Sequence, residues 1–430
     1  MQKTLLFHIF LMYDIHDNFL ENFIKILGFI SLLVFISCNI SKGLTYHNFP
    51  SAVDTQDQLV TLQEKKIYST DGIQLRNDFD AARANDFIQI NDSTFRVTIL
   101  PENEPINESP HFAFKIKSDT PRKIDLELFY DKYKHRYWPK ISTDGVHFEA
   151  VDSMDFDTLK AGNIGTLRLE LGREELLIAA QELRPSSYTK DWIDKLKVLH
   201  PEIKSSTIGQ SKLGRDIDYL ELGTGTDQDK PAILIFSRTH PPEISGYMAM
   251  EAFVEELLRD SPLSSTFRAK HRILAYPLIN PDGVDLGHWR HNAGGIDLNR
   301  DWSQFRQEEP RVVATHAVQT LKQNKNDVLL GIDFHSTQED VIYTHTANRQ
   351  SKIYPFKDIW IQALEDDLAV LGPNEEAYDL SSPMTKGWFY LEFDAEAIIY
   401  EVGDETDREF LKYKAQVAAR EMMKLLVMRG

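Results

Sequence analysis

Three segments of this chain are built almost wholly of aliphatic and aromatic residues: PAILIFS at 231–237, DVLLGIDF at 327–334 and EAIIYEV at 396–402. A strand of that kind has no polar face to offer water, so it belongs inside a sheet covered on both sides. Helical patterns surround these strands: EISGYMAMEAFVEELL (243–258), EPRVVATHAVQTLK (309–322), KDIWIQALEDDLAVL (357–371) and a long closing run at 406–428. SYTKDWIDKLKVL adds a helix and RILAYPLI another strand. From about residue 186 to 430 the pattern is therefore that of an α/β/α domain with a mixed, largely parallel central sheet.

Before residue 186 the texture changes. FIQI, TFRVTIL, HFAFKIKS, KIDLELFY and TLRLELG alternate apolar with polar residues, and Asp144-Gly145 and Asn163 break the runs. Period-two alternation punctuated by turn residues predicts an antiparallel β-sandwich over 68–185. The polar stretch 39–67 reads as a tether. Two domains suit 430 residues, a length beyond one average core.

Acidic residues outnumber basic ones, 66 to 48, for a net charge of −18. Such a surface repels nucleic acid, which excludes that class of partner. There is one cysteine, Cys38, so an internal disulfide and a cysteine-based zinc site are both excluded. Any metal must be held by histidines and carboxylates. Cys38 follows the apolar run Ile26–Ser37 (ILGFISLLVFIS), which Lys25 precedes. This reads as a lipoprotein signal over 1–38, with a lipidated Cys38 anchoring the protein in the cell envelope, facing the periplasm or exterior. Phe35 and Ile36 fit such a signal loosely, and Asp14, Asp17 and Glu21 suit its leading region poorly. A start at Met12 is an alternative, as are an ordinary secretory peptide and a membrane anchor.

The chemistry gathers where the apolar strands end. The first runs into His240, with Glu243 at the start of the following helix; the second ends at His335; the third reaches Glu401. Ligands of open α/β sheets bind beyond the carboxyl ends of strands, so these groups can converge in one crevice. Two histidines and one glutamate are a catalytic zinc set that leaves a fourth position open. The competing readings are a chance turn for His240-x-x-Glu243, a hydrogen-bonded core histidine for His335, and a buried acid paired with an arginine for Glu401. The segment 277–302, PLINPDGVDLGHWRHNAGGIDLNRDW, is too polar for a core and too patterned for a linker. A long surface loop is the plain alternative, though loops of that length are usually functional.

THPPE, NPDGV followed by WR, DLNRDW, DFHS and IIYE resemble, in order and spacing, the zinc carboxypeptidase family. The forms HPxE, NPDGV, G-x-x-R and DLNR resemble most its cytosolic-carboxypeptidase branch, which also carries an amino-terminal β-sandwich. The resemblance implies one Zn2+ per chain on His240, Glu243 and His335, with Asp297 orienting the first histidine. It implies that Arg290 stabilises the oxyanion, that Asn299 and Arg300 grip a peptide's terminal carboxylate, and that Glu401 is the general base. Two departures stand out. Pro242 occupies a place where family exopeptidases often have arginine, and Tyr378, matched to the substrate-covering tyrosine, falls one position off the family spacing. Lys386, two residues before Trp388, matches a residue that sets side-chain preference, and a cation there would favour acidic C-terminal residues.

The expected activity is removal of C-terminal residues, Glu or Asp foremost, from peptides. A peptidase or amidase acting on cell-wall peptides is the enzymatic alternative. A lipid-anchored binding protein with a dead zinc domain is the other, against which the intact ligand set and Glu401 argue.

Overall fold

Alternation in the amino-terminal half produces two packed sheets. The structure is a computed structural model that describes residues 43–51, 53–158, 162–368 and 374–429. One sheet orders its six strands as Ile67–Thr70, Ile73–Arg76, Ala113–Ser118, Leu176–Ala179, Lys140–Ser142 and Glu149–Ala150. The facing sheet orders five as Asp86–Gln89, Thr94–Thr98, Arg122–Phe129, Ile164–Leu171 and Phe156–Thr158. Every other residue of the two longest strands points inward, giving Ile124, Leu126 and Leu128 against Leu167, Leu169 and Leu171. The pairing is antiparallel except that Thr94–Thr98 runs parallel to Arg122–Phe129, which the alternation alone does not foretell.

The three apolar segments form the middle of an eight-stranded mixed sheet. Its order is Lys204–Gln210, Asp216–Leu222, Arg272–Tyr276, Ala232–Ser237, Val328–Thr337, Glu396–Gly403, Val341–Thr344 and Asn374–Ala377. Ala232–Ser237 pairs in parallel with both neighbours, as does Val328–Thr337 with Glu396–Gly403, while antiparallel pairs flank this centre. Ile233 and Ile235 face a core shared with the helices Ile244–Leu258 and Arg408–Arg429. On the other face Phe236 meets Trp302 at 5.2 Å and Phe389 at 4.9 Å between ring centroids. With 25 cal/mol per Å² of apolar surface removed from water, fully buried faces of this kind are what hold the sheet centre together.

Sandwich and α/β domain belong to one compact unit, Tyr46–Gly430. Within it, the stretch expected to be a tether is a docked strap from Tyr46 on. Ser303 Oγ donates to the His47 carbonyl at 2.5 Å, Thr55 Oγ1 to Asp301 at 2.5 Å, and Gln58 N to the Gly294 carbonyl at 2.8 Å. Polar composition concealed this, because an extended strap docks by single hydrogen bonds and leaves no hydrophobic period. Cys38 and the apolar run before it lie outside the described residues. Among the described residues no helix is long and apolar enough to cross a membrane.

Candidate active site

The strand Ala232–Ser237 delivers its chain to a tight turn. Arg238 there adopts a left-handed backbone (φ 57°), uncommon for a side-chain-bearing residue. Its buried guanidinium closes the turn by donating from Nε to the Pro241 carbonyl at 2.8 Å. His240 sits in this turn, and Glu243 occupies the N-cap position of the helix Ile244–Leu258 with its side chain turned to the histidines instead of capping the helix. That helix can press on the His335 strand because residue 246 is glycine: a Cβ there would stand 2.2 Å from the His335 carbonyl oxygen. The backbone N–H of Gly246 donates to Ser336 Oγ at 2.8 Å, which fixes the approach. His335 and Glu401 are register partners on adjacent parallel strands, so their side chains leave the sheet on the same face.

His240 Nδ1 lies 2.8 Å from one oxygen of Glu243, and His335 Nδ1 lies 2.7 Å from the other. One ligand atom from each residue falls within 4.8 Å of the others, and all three residues are buried. The opposite ring nitrogens are held by carboxylates: His240 Nε2 by Asp297 at 2.9 Å and His335 Nε2 by Asp333 at 2.8 Å. Carboxylate-oriented imidazoles converging on a third carboxylate are a donor set made for zinc. Burial pushes the Glu243 carboxyl up, but the two imidazoles outweigh it and hold the group well below the usual range. Asp297 is held down in the same way by Arg290 and His240. Glu401 is the exception, its carboxyl raised to about 7 by burial. Its Oε2 is buried with no hydrogen-bond partner among the described residues, so one acid of the crevice is left free to take a proton.

The other expected residues lie around this centre. Arg290 is buried and donates from Nε to Asp297 at 2.8 Å. Asn299 Oδ1 accepts from the Thr385 N–H at 3.0 Å, and its Nδ2 stands 3.5 Å from His335 Nε2. Arg300 is held at 2.8 Å by the Asn299 carbonyl and stays 32% exposed, a cation facing the cleft. Tyr378 rests edge-on against Tyr343, and its phenol is pushed up by burial and by the nearby Glu401 carboxylate. Lys386 is buried with its Nζ donating to the carbonyls of Thr344 and Tyr378, 3.4 Å from the centroid of the Tyr378 ring. No carboxylate among the described residues is within ion-pair distance of it, and burial lowers the ammonium to about 7. A 470 Å³ cavity beside Arg290, Asp297 and Arg300 is walled on its far side by the strap and the sandwich loop Asn103–Asn107. Two contributors escaped the sequence reading. Asp333 had a signal, since it stands two residues before His335 and so on the same strand face. Glu102 of the sandwich, whose carboxylate holds the backbone of Arg290, had none.

Mixed sheet, flanking helices and a two-histidine, one-glutamate centre at the carboxyl ends of the strands define a carboxypeptidase-like α/β fold with a zinc site. The chain belongs to the zinc carboxypeptidase family, whose model matches residues 189–420. It is 31% identical over 159 residues to cytosolic carboxypeptidase 2 of Xenopus tropicalis, which covers 35% of this chain and 16% of that protein. Cytosolic carboxypeptidase 6 of Mus musculus is 29% identical over 125 residues, 27% of this chain and 23% of that protein. Among solved structures, a metallo-carboxypeptidase from Burkholderia cenocepacia superposes with a TM-score of 0.69 at 17% identity, covering 83% of this chain and 98% of that one. A metallo-carboxypeptidase from Pseudomonas aeruginosa, in complex with (2-guanidinoethylmercapto)succinic acid, gives 0.63 at 20% identity, covering 83% and 98%. That coverage extends beyond the α/β domain, so the β-rich region shares the fold too.

Proposed function

We propose that this chain is a zinc-dependent carboxypeptidase that removes C-terminal residues, acidic ones foremost, from peptides. The observation that carries the reading is Glu401, a half-buried acid whose buried Oε2 has no hydrogen-bond partner among the described residues, set beside the His240–Glu243–His335 cluster. Zinc held by His240, Glu243 and His335 would supply Lewis-acid activation of the attacking water and of the scissile carbonyl. Glu401 takes the proton of that water and returns it to the leaving amine. Arg290 offers charge-assisted donors to the negative charge that develops on the scissile oxygen. Arg300 and Asn299 bind the terminal carboxylate, for which a planar guanidinium is suited because it can donate twice in parallel. Turnover of a peptide panel ending in Glu, Asp, Leu, Lys or diaminopimelate, with and without chelator, tests the reading. Absence of any chelator-sensitive release of a C-terminal residue would overturn it, and release confined to diaminopimelate-ended peptides would favour cell-wall substrates.

Lys386 supports the acidic preference. A buried ammonium without an anion is costly, and a substrate Glu or Asp side chain would supply one. A charge-assisted contact is worth about 1.5–3 kcal/mol, so Glu-ended peptides should exceed Leu-ended ones about ten- to a hundredfold in kcat/KM. Lys386→Met should flatten that ratio, while Arg300→Met should damage all substrates alike. The sign of the pH dependence follows from the lowered ammonium. Lys386 is cationic below about 7 and neutral above it, so the preference should be largest on the acid side and shrink as pH rises. Equal rates on Glu- and Leu-ended peptides on both sides of that pH would rule the pocket lysine out.

We place the protein on the envelope membrane through a lipidated Cys38. The support is the apolar run Ile26–Ser37 before the chain's one cysteine. Cys38→Ala should release it from the membrane fraction or block its processing. Wild-type protein that fractionates as soluble and carries no acyl chain by mass spectrometry would contradict this.

A further inference from the structure

The loop that carries Arg290 is fixed by the neighbouring domain. Glu102, on the chain that leaves the sandwich strand Thr94–Thr98, is 0% exposed. Its carboxylate accepts the backbone N–H groups of three consecutive residues: Trp289 at 2.8 Å, Arg290 at 3.0 Å and His291 at 2.7 Å. Successive N–H groups converging on one point form an anion nest, and here the protein's own carboxylate fills it. Burial works against that charge, yet His288, Arg83 and His291 bring the carboxyl down to about 2.

The same loop is fixed twice more from the sandwich. The Trp289 ring is buried within the sandwich's own hydrophobic core and meets Tyr133 edge-on at 5.2 Å. Asn103 bonds His291 Nδ1 at 2.6 Å and donates to the Gly295 carbonyl at 2.9 Å. From the loop the linkage runs on to the metal centre. Arg290 Nε donates to Asp297 at 2.8 Å, and the other oxygen of Asp297 holds His240 Nε2 at 2.9 Å.

We infer that Glu102 is a positioning residue: from the sandwich domain it fixes the Trp289–His291 backbone so that Arg290 stands ready at the scissile oxygen and Asp297 at His240. This rests on the reading of Arg290 as the oxyanion-stabilising group. Such a donor acts through being in place before charge develops. A displacement of about 1 Å costs about a hundredfold in rate. A carboxylate is the side chain for the task, because it has lone pairs for three N–H donors where an amide offers a single accepting oxygen. The competing role is mere attachment of one domain to the other. Attachment is already provided elsewhere, by Arg136 to Asp404, Lys140 to Glu405 and Arg408 to Glu182.

The test is a double-mutant cycle on the full, zinc-loaded chain with a Glu-ended peptide. Glu102→Gln keeps the volume and loses part of the nest. It should lower kcat about ten- to a hundredfold with KM and zinc content unchanged. Amide exchange across 289–291 should accelerate in the metal-free protein. In an Arg290→Ala background the same substitution should cost less than about twofold, since its route to the reaction is gone. An equal loss in both backgrounds, or full activity in folded Glu102→Gln, overturns the proposal. Should Glu102→Gln fail to fold, Asn103→Ala runs the same cycle at a less buried position. A loss of about three- to tenfold that vanishes with Arg290→Ala supports the inference, and unchanged kcat overturns it. Arg290→Ala with normal kcat would instead remove the underlying reading of Arg290, a result separable from the others.

Discussion

Glu401→Gln is expected to lower kcat by about 10²–10⁴-fold, the usual worth of a positioned general base, while zinc content and fold remain those of the wild type. Glutamine keeps the shape of the side chain and removes its basicity. The backbone of Glu401 stays in its ladder, beside His335 on one strand and Val341 on the other. No hydrogen bond to Oε2 from the described residues is lost, because none of them makes one. The substitution also removes a carboxyl that burial raises to about 7, so the metal-free variant should melt at the wild-type temperature or above it. That combination, stability held or gained while turnover collapses, separates a base from a structural acid. Zinc held by His240, Glu243 and His335 would draw the carboxyl back down, which would keep it ionised and able to accept a proton at neutral pH. Near-normal turnover by Glu401→Gln would show that the residue is structural and that the proton leaves by another route.

Three of the four central residues were legible because each stands where an apolar strand gives out: the ligand candidates His240 and His335, and Glu401. Glu243 was read from its spacing to His240, at the start of the following helix. Segment 277–302 was harder. Its polarity argued against a core, yet nearly all of it is buried, with a short helix at Pro281–Asp285 and a 3-10 turn at Leu298–Arg300. Burial is possible because its polar groups satisfy one another and their neighbours. Asn280 caps the short helix through the Gly283 N–H, Asn292 donates to Gln307 and Glu309, and Asp282 and Asp285 share Arg215. No periodicity announces such a network. The edge hairpin Lys204–Gln210 and Asp216–Leu222 went unread for the opposite reason: its outer strand is exposed and polar, without an apolar face to betray it. Glu102 was beyond reach for a third reason. Its partners are backbone N–H groups far along the chain, and backbone groups leave no mark in a sequence.

His335→Ala is expected to abolish turnover and to remove the bound metal, from about one zinc per chain to none. Two effects combine. One of three protein ligands goes, and Glu243, whose second oxygen faces His335 Nδ1 at 2.7 Å, is left buried with His240 alone. Breaking a buried pair from one side costs about 3–5 kcal/mol, so the variant should also melt earlier than metal-free wild type. Asp333→Asn provides the graded comparison. Asp333 touches the far nitrogen of His335 and accepts from Thr385 Oγ1 at 2.6 Å, so its loss leaves the ligand in place but less firmly oriented. Its variant should bind zinc about ten- to a hundredfold more weakly by competition with a chromophoric chelator and regain turnover when zinc is added in excess. His335→Ala should regain none. Chelation of the wild type should silence it reversibly and lower its melting temperature, because zinc bound only to the folded state stabilises that state by mass action. A fully active preparation without stoichiometric metal would remove zinc from the reaction and leave the buried cluster as an ion-paired core.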